Sequence, residues 1–333
     1  MPRNGQPARL TSAPPPPLKV AGALAVVYVV WGSTYLAIRV MVEDVPPLLG
    51  AGTRFLLAGG LLNAWVAARR PAARVTRSEL AGCALVGTLL MFGGNGLVTV
   101  AERDVPSGLA ALLIASVPLW VIVLRSLWGE RPRRATALGV AFGFIGVAVL
   151  LAPGQRPEGV SLAACLLVVV AAMCWASGSF AGSRLPLPAD PLRSTALQML
   201  FGGAAMTAVA VPAGEPWALD LGGISGDSWL AYAFLVFVGS IVAFTAYAWL
   251  LRNVPISTVA TYAYVNPVIA VVLGAIVLSE PVGVATIAGM AIIVASVAYT
   301  MRTEGTERAP EPAAHRVPAQ WATETSAGRT ASG

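Results

Sequence analysis

About ten stretches of this chain are apolar for the length a helix needs to cross a bilayer. A helix must supply roughly 20 apolar residues to span the ~30 Å hydrocarbon core. Runs of that kind lie at 18–40, 47–68, 80–101, 106–128, 135–152, 159–182, 192–213, 228–251, 255–278 and 281–301. Most of the breaks between them are led by proline: Val45-Pro46-Pro47, Val105-Pro106, Arg131-Pro132, Val254-Pro255 and Glu280-Pro281. Proline ends the helix before it and fits the first turn of the next. The breaks are short, so neighbouring helices run antiparallel. The expected fold is an all-α integral membrane protein with ten transmembrane helices.

Composition agrees with a bilayer as the main solvent. Charged residues make up 11% of the 333, and mean hydropathy is +0.73. A soluble domain spends roughly a quarter of its residues on charge. The net charge of +6 does not point to nucleic acid, because the basic residues sit in short runs between apolar stretches and in the tails. The three cysteines, Cys83, Cys165 and Cys174, stand apart inside apolar runs and read as small core residues. The single histidine, His315, is in the C-terminal tail. No metal site, cofactor or catalytic residue is therefore expected, and an intramembrane enzyme has no nucleophile–base pair to work with. Residues 1–17, which end in four prolines, and the polar 302–333 are expected to be disordered tails. The first apolar run is too long for a signal peptide and reads as a retained helix.

Orientation follows from the basic residues. With the N-terminus in the cytoplasm, all but four of the 22 Lys and Arg fall on the cytoplasmic side; Arg39, Arg54, Arg103 and Arg156 are the four. Both termini are then cytoplasmic.

The chain also repeats itself. Glu102-Arg103-Asp104-Val105-Pro106 answers Leu251-Arg252-Asn253-Val254-Pro255; Pro118 answers Pro267, Trp31 answers Trp175, and Arg54-Phe55 answers Gln198-Met199. Five helices per copy is an odd number, so the second copy (159–301) enters the membrane inverted relative to the first (18–152). Inverted repeats are a transporter device, with a site at the repeat interface that opens to either side. A receptor or scaffold has no need of one.

Several sequences within these repeats resemble the EamA branch of the drug/metabolite transporter superfamily. They are Trp31-Gly32-Ser33-Thr34-Tyr35 with Arg39; Arg54-Phe55; Gly94-Asn95-Gly96-Leu97; Val105-Pro106-Ser107-Gly108-Leu109 and onward to Leu113; Val117-Pro118-Leu119-Trp120; Glu130; Asn266-Pro267-Val268; and Ser279-Glu280-Pro281. The resemblance covers about residues 18–301. It implies export of small metabolites, amino acids or drug-like compounds across the bacterial cytoplasmic membrane, without fixing the substrate.

Candidate site residues follow from helical faces. Tyr28, Trp31, Gly32, Tyr35 and Arg39 share a face of the first helix about 100° wide. Trp175, Gly178, Ser179 and Gly182 repeat the pattern in the sixth. Asn95, Ser240, Tyr247, Thr258, Tyr262 and Asn266 add polar or aromatic groups from the third, eighth and ninth. An aromatic wall with a few polar groups suits a small-molecule cavity, and close packing is the other reading. Arg54, inside the second helix, meets either a substrate carboxylate or one of Glu43, Asp44 and Glu280. The ion pair with one of these three acids is the expected arrangement, as a latch on the outer gate. Glu130 and Glu280, beside helix-starting prolines, read as helix-dipole acids and gate partners, like Arg39. Gly139, Gly143 and Gly146 mark the fifth helix as closely packed. All the acids lie at helix ends, in loops or in tails. This favours a neutral or zwitterionic metabolite over a lipophilic cation exchanged for protons. A proton-coupled drug efflux pump using Glu130 or Glu280 is the alternative. A monomer suffices for either.

Overall fold

The computed structural model describes residues 16–69, 74–254, 256–259 and 261–307. Arg70, most of the N-terminal tail and the C-terminal tail from residue 308 therefore lie outside the described residues. The described chain is helical and contains no strand. The long helical runs are α1 (Pro17–Asp44), α2 (Pro47–Arg69), α3 (Arg77–Ala101), α4 (Ser107–Leu127), α5 (Arg134–Leu151), α6 (Leu162–Gly182), α7 (Pro191–Ala210), α8 (Gly226–Asn253), α9 (Tyr262–Val277) and α10 (Val284–Glu307). Single helical turns at Glu215–Ala218 and Ile256–Val259 precede α8 and α9. Among the described residues, α1, α3, α4, α5, α6, α8 and α10 are long and apolar enough to cross a membrane, and α9 is a shorter apolar helix. In α2 and α7 the apolar run is diluted by glycine, threonine and a central Arg54 or Gln198.

Three expectations need correction. The run 106–128 is not one straight helix: it breaks after Ile114 and restarts at Val117. Pro118 has no N–H to give back to Ile114, and the buried Ser116 hydroxyl donates to the Leu113 carbonyl at the break (2.6 Å). The run 255–278 is likewise divided, with α9 starting only at Tyr262. The last helix continues through residues 302–307, which were assigned to the tail.

Helix pairing follows a regular pattern. α2 packs along α7 and α5 along α10, while α1 packs on α8 and α9 as α6 packs on α3 and α4. Small residues permit the close crossings. Gly139, Gly143 and Gly146 of α5 lie against Thr300, Ser296 and Ile293 of α10. α3 and α8 share a further irregularity, a π-helical stretch at Thr88–Gly96 and at Leu235–Val242.

At one end of the bundle, three carboxylates close gaps between distant elements. Asp44 at the end of α1 accepts from the Ser225 N–H (3.0 Å) and from the Ser225 and Ser228 hydroxyls (2.6 and 2.8 Å) at the start of α8. Glu215 accepts from the Leu48 and Leu49 N–H groups (3.3 and 2.6 Å) at the start of α2. Glu280 accepts from the Ser107 N–H (2.7 Å), the Ser107 hydroxyl (3.1 Å) and the Gly108 N–H (3.1 Å) at the start of α4. Helix starts carry unpaired donors and partial positive charge, so an acid there is doubly stabilised. The opposite end carries Glu130.

Candidate functional site

α1 presents the face its periodicity predicts. Trp31 and Tyr35 line a cavity of about 110 Å³ together with Thr34 and Ile38 from the same helix. The Trp31 ring is held by three others: edge-on to Phe244 (5.1 Å) and Tyr262 (5.2 Å), and tilted against Tyr247 (5.0 Å). Tyr262 and Phe244 reach the cavity, whereas Tyr247 stands behind them and supports both Trp31 and Tyr262. Tyr28 is also out of the cavity wall, and its hydroxyl is paired with that of Thr261. Asn266 lines the cavity. In the amide orientation that satisfies its neighbours, its nitrogen donates to the Tyr28 and Tyr262 carbonyls (3.1 and 3.3 Å).

The opposite wall comes from α3, α4 and α6. Asn95, in the π stretch of α3, and Val98, just beyond it, reach the cavity, and Ile114, Ala115, Val117 and Pro118 line it at the break in α4. Trp175 lies across Gly94, where an added Cβ would sit 2.6 Å from the indole. Only a residue without a side chain admits that ring. Ser179 is a correction, since it is exposed and does not line the cavity. Packing of Gly178 on Leu89 and Leu90 fixes the rotation of α6, and the next residue is turned about 100° away.

The charged candidates divide. Arg39 is a tie between helices: its guanidinium donates to the backbone carbonyls of Glu102 and Arg103 at the end of α3. Glu280 is bonded to the start of α4. Glu130 is an exposed loop acid gripped by Arg125 (2.6 Å) and Arg184 (2.9 Å). The Arg125 hydrogen bond, with help from Arg184, holds its carboxyl below the ordinary glutamate range. Arg54 departs from the latch expectation. It is 2% exposed, lines the cavity, and among the described residues pairs with no carboxylate. Asp44 and Glu280 are engaged elsewhere.

Sequence reasoning missed Glu102. It sits at a helix end, in a turn that reads as polar, yet it is fully buried and neither carboxyl oxygen has a hydrogen-bond partner. The reading of the acids as helix-end, loop and tail residues places Glu102 at a helix end but does not foresee its burial. A signal was present: the repeat places Leu251 opposite Glu102, and a leucine marks an apolar environment.

A small cavity walled by aromatic rings, with a few polar groups, set among apolar helices of membrane length, is the architecture of a membrane transporter for small molecules. The EamA-like transporter family profile matches residues 19–152 and again 162–302. The chain belongs to this family, whose members are membrane transporters and not enzymes. It is 42% identical over 258 residues to the uncharacterized inner membrane transporter YedA of Escherichia coli, covering 77% of this chain and 82% of that one. It is 30% identical to the uncharacterized transporter YvbV of Bacillus subtilis, covering 85% and 91%. It is 27% identical to a probable amino-acid metabolite efflux pump of Salmonella typhimurium, covering 81% and 90%. One solved crystal structure, 22% identical, shares the fold with a TM-score of 0.57 over 85% of this chain and 96% of its own.

Proposed function

We propose that this protein is a secondary transporter that exports small metabolites, such as amino acids or related neutral or zwitterionic compounds, from bacteria. It works by alternating access between two inverted five-helix repeats, 18–152 and 159–301, with ten spans in the cytoplasmic membrane and both termini in the cytoplasm. The observation that carries this reading is the cavity, whose walls come from α1, α8 and α9 on one side and α3, α4 and α6 on the other, with Arg54 reaching in from α2. The twofold family match, the regular helix pairing and the paired π stretches support the repeat. The efflux name of the Salmonella relative supports the substrate class.

The test is a substrate screen in proteoliposomes, followed by Trp31→Ala and Trp175→Ala. Each tryptophan offers stacking worth about 0.5–1.5 kcal/mol beyond burial. Each variant should weaken apparent affinity several-fold, with phenylalanine much milder. Unchanged affinity in both alanine variants removes the cavity from transport.

One observation favours a second reading, proton-coupled drug efflux. It is Glu102 rather than Glu130 or Glu280. A buried carboxyl without donors is costly when ionised, and a group of that kind suits proton exchange. Glu102→Gln decides between the readings. Counterflow that survives the change and the collapse of a pH gradient leaves the facilitated carrier standing; loss of pH-driven transport alone favours proton coupling.

A further inference from the structure

We propose that Arg54 is the anchor for a carboxylate on the transported molecule, so that the cavity takes small organic acids, amino acids included, and not neutral or cationic drugs. This deepens the transporter reading above and rests on it.

Three sides of the guanidinium are accounted for. Its Nε donates to the Ser240 hydroxyl oxygen (3.1 Å), and that hydroxyl is itself fixed because it donates to the Leu235 carbonyl (2.9 Å) within the π stretch of α8. Its plane lies near the Phe55 ring, 4.5 Å from the centroid. Gly239 lies beside Nη2: a Cβ there would be in ordinary contact with it (3.7 Å) and tight against Thr34 Cγ2 (3.1 Å). Nη1 is left buried without a partner. Guanidinium N–H groups form strong, geometrically directed bonds to carboxylates, and a buried cation lacking such a partner is costly. The acids expected to neutralise it do not: Glu43 is exposed, Asp44 is committed to Ser225 and Ser228, and Glu280 to Ser107 and Gly108. Glu102 is buried but forms no hydrogen bond to Arg54.

The rest of the cavity says how much charge is wanted. Among the described residues, Arg54 is the one charged side chain lining it, and its other polar groups are neutral: Thr34, Tyr35, Asn95, Asn266 and the aromatic N–H and O–H groups. One fixed positive charge in an apolar, aromatic chamber fits one carboxylate with a small apolar or polar body. Phosphorylated compounds and dicarboxylates bring more negative charge than the site can meet.

The full chain in proteoliposomes, preloaded with free amino acids and their carboxamides, tests this directly. Each matched pair differs only in the carboxylate, and efflux of every compound is followed by mass spectrometry. The wild-type protein should move at least one acid about tenfold or more faster than its amide, the scale of a charge-assisted hydrogen bond. Arg54→Gln should abolish that preference, and Arg54→Lys, which keeps the charge, should retain part of it. Equal export of acids and amides by the wild type overturns the proposal without needing any variant to fold. An unchanged acid preference in a monodisperse Arg54→Gln protein also overturns it. Either result leaves the transporter reading intact. Export of no compound counts against that reading first and takes this proposal with it.

Discussion

The two ends of the bundle are held by different physics. At the Glu280 end, Asp44, Glu215 and Glu280 each reach across to the first turn of a helix remote in sequence and accept from its backbone N–H groups. At the Glu130 end, the helix caps are local. Thr76 and Glu79 form a capping box on α3, and Asp190 accepts from Leu192 of its own α7. Links between elements there include the exposed arginine–carboxylate pairs Arg184–Glu130 and Arg252–Asp190, beside the Thr136–Thr303 hydroxyl pair. Backbone donors at a helix start have a fixed direction and few other partners, whereas exposed ion pairs compete with water and salt. The first end is therefore a set of directed joints and the second a set of screened ones. Similar Glu–Pro turns, at Glu130-Arg131-Pro132 and Glu280-Pro281, do unlike work in this conformation.

Replacing Glu280 tests that contrast hardest. Glu280→Gln removes the charge from three donors and should cost on the order of 2 kcal/mol, the scale of hydrogen bonds to an ionised group. The change should appear as a lower thermal midpoint in detergent. A second change attacks the same joint without touching the acid. A Cβ on Gly274 would sit 2.4 Å from a Glu280 carboxyl oxygen and 2.8 Å from the Ser107 hydroxyl. Gly274→Ala should therefore displace the carboxylate and cost about 1–3 kcal/mol. Combined with Glu280→Gln it should cost less than the sum of the two. Full additivity would mean that Gly274 serves helix packing and not the joint.

Glu130→Gln should have the smallest effect, about 0.2–1 kcal/mol, and it should shrink further in high salt. The sign with pH is set by the depressed carboxyl. Its contribution is complete above the unfolded glutamate value, near about 4.3, and is lost as pH falls through the lower folded value. Wild type and Glu130→Gln should thus differ at neutral pH and converge in acid. Equal, salt-sensitive losses from Glu280→Gln and Glu130→Gln would erase the distinction between the ends.

Much of this was legible in the chain. Apolar length gave the helices, and a 3.6-residue face gave Trp31 and Tyr35. The repeat led from Trp31 to Trp175. What failed did so where helices depart from ideal geometry or where burial depends on distant elements. Ser179 lies on the right face by counting, but the contact of Gly178 with α3 sets a different rotation. Tyr28 and Tyr247 belong to the aromatic cluster without reaching the cavity, because a helix face records direction and not depth. Arg54 was expected to pair with an acid near it along the loops. Glu102 was read as a loop residue because local polarity does not reveal that Arg39 and α1 close over the turn.

In α3 and α8, counting residues and counting faces give different answers. A π turn closes on the fifth residue, so Thr88–Gly96 and Leu235–Val242 wind more slowly than the α-helix on either side. Everything beyond them is indexed in a shifted frame. Val98 in one helix and Phe244 in the other meet the cavity in that frame, and Asn95 meets it from within the first stretch. Deleting one residue from either stretch would barely alter hydropathy or span length, yet it would re-index each later side chain by about 100°. The wide turns act as a phase setting. In these two helices, length within the stretch is under tighter constraint than identity, and a one-residue gap is a larger change than most substitutions.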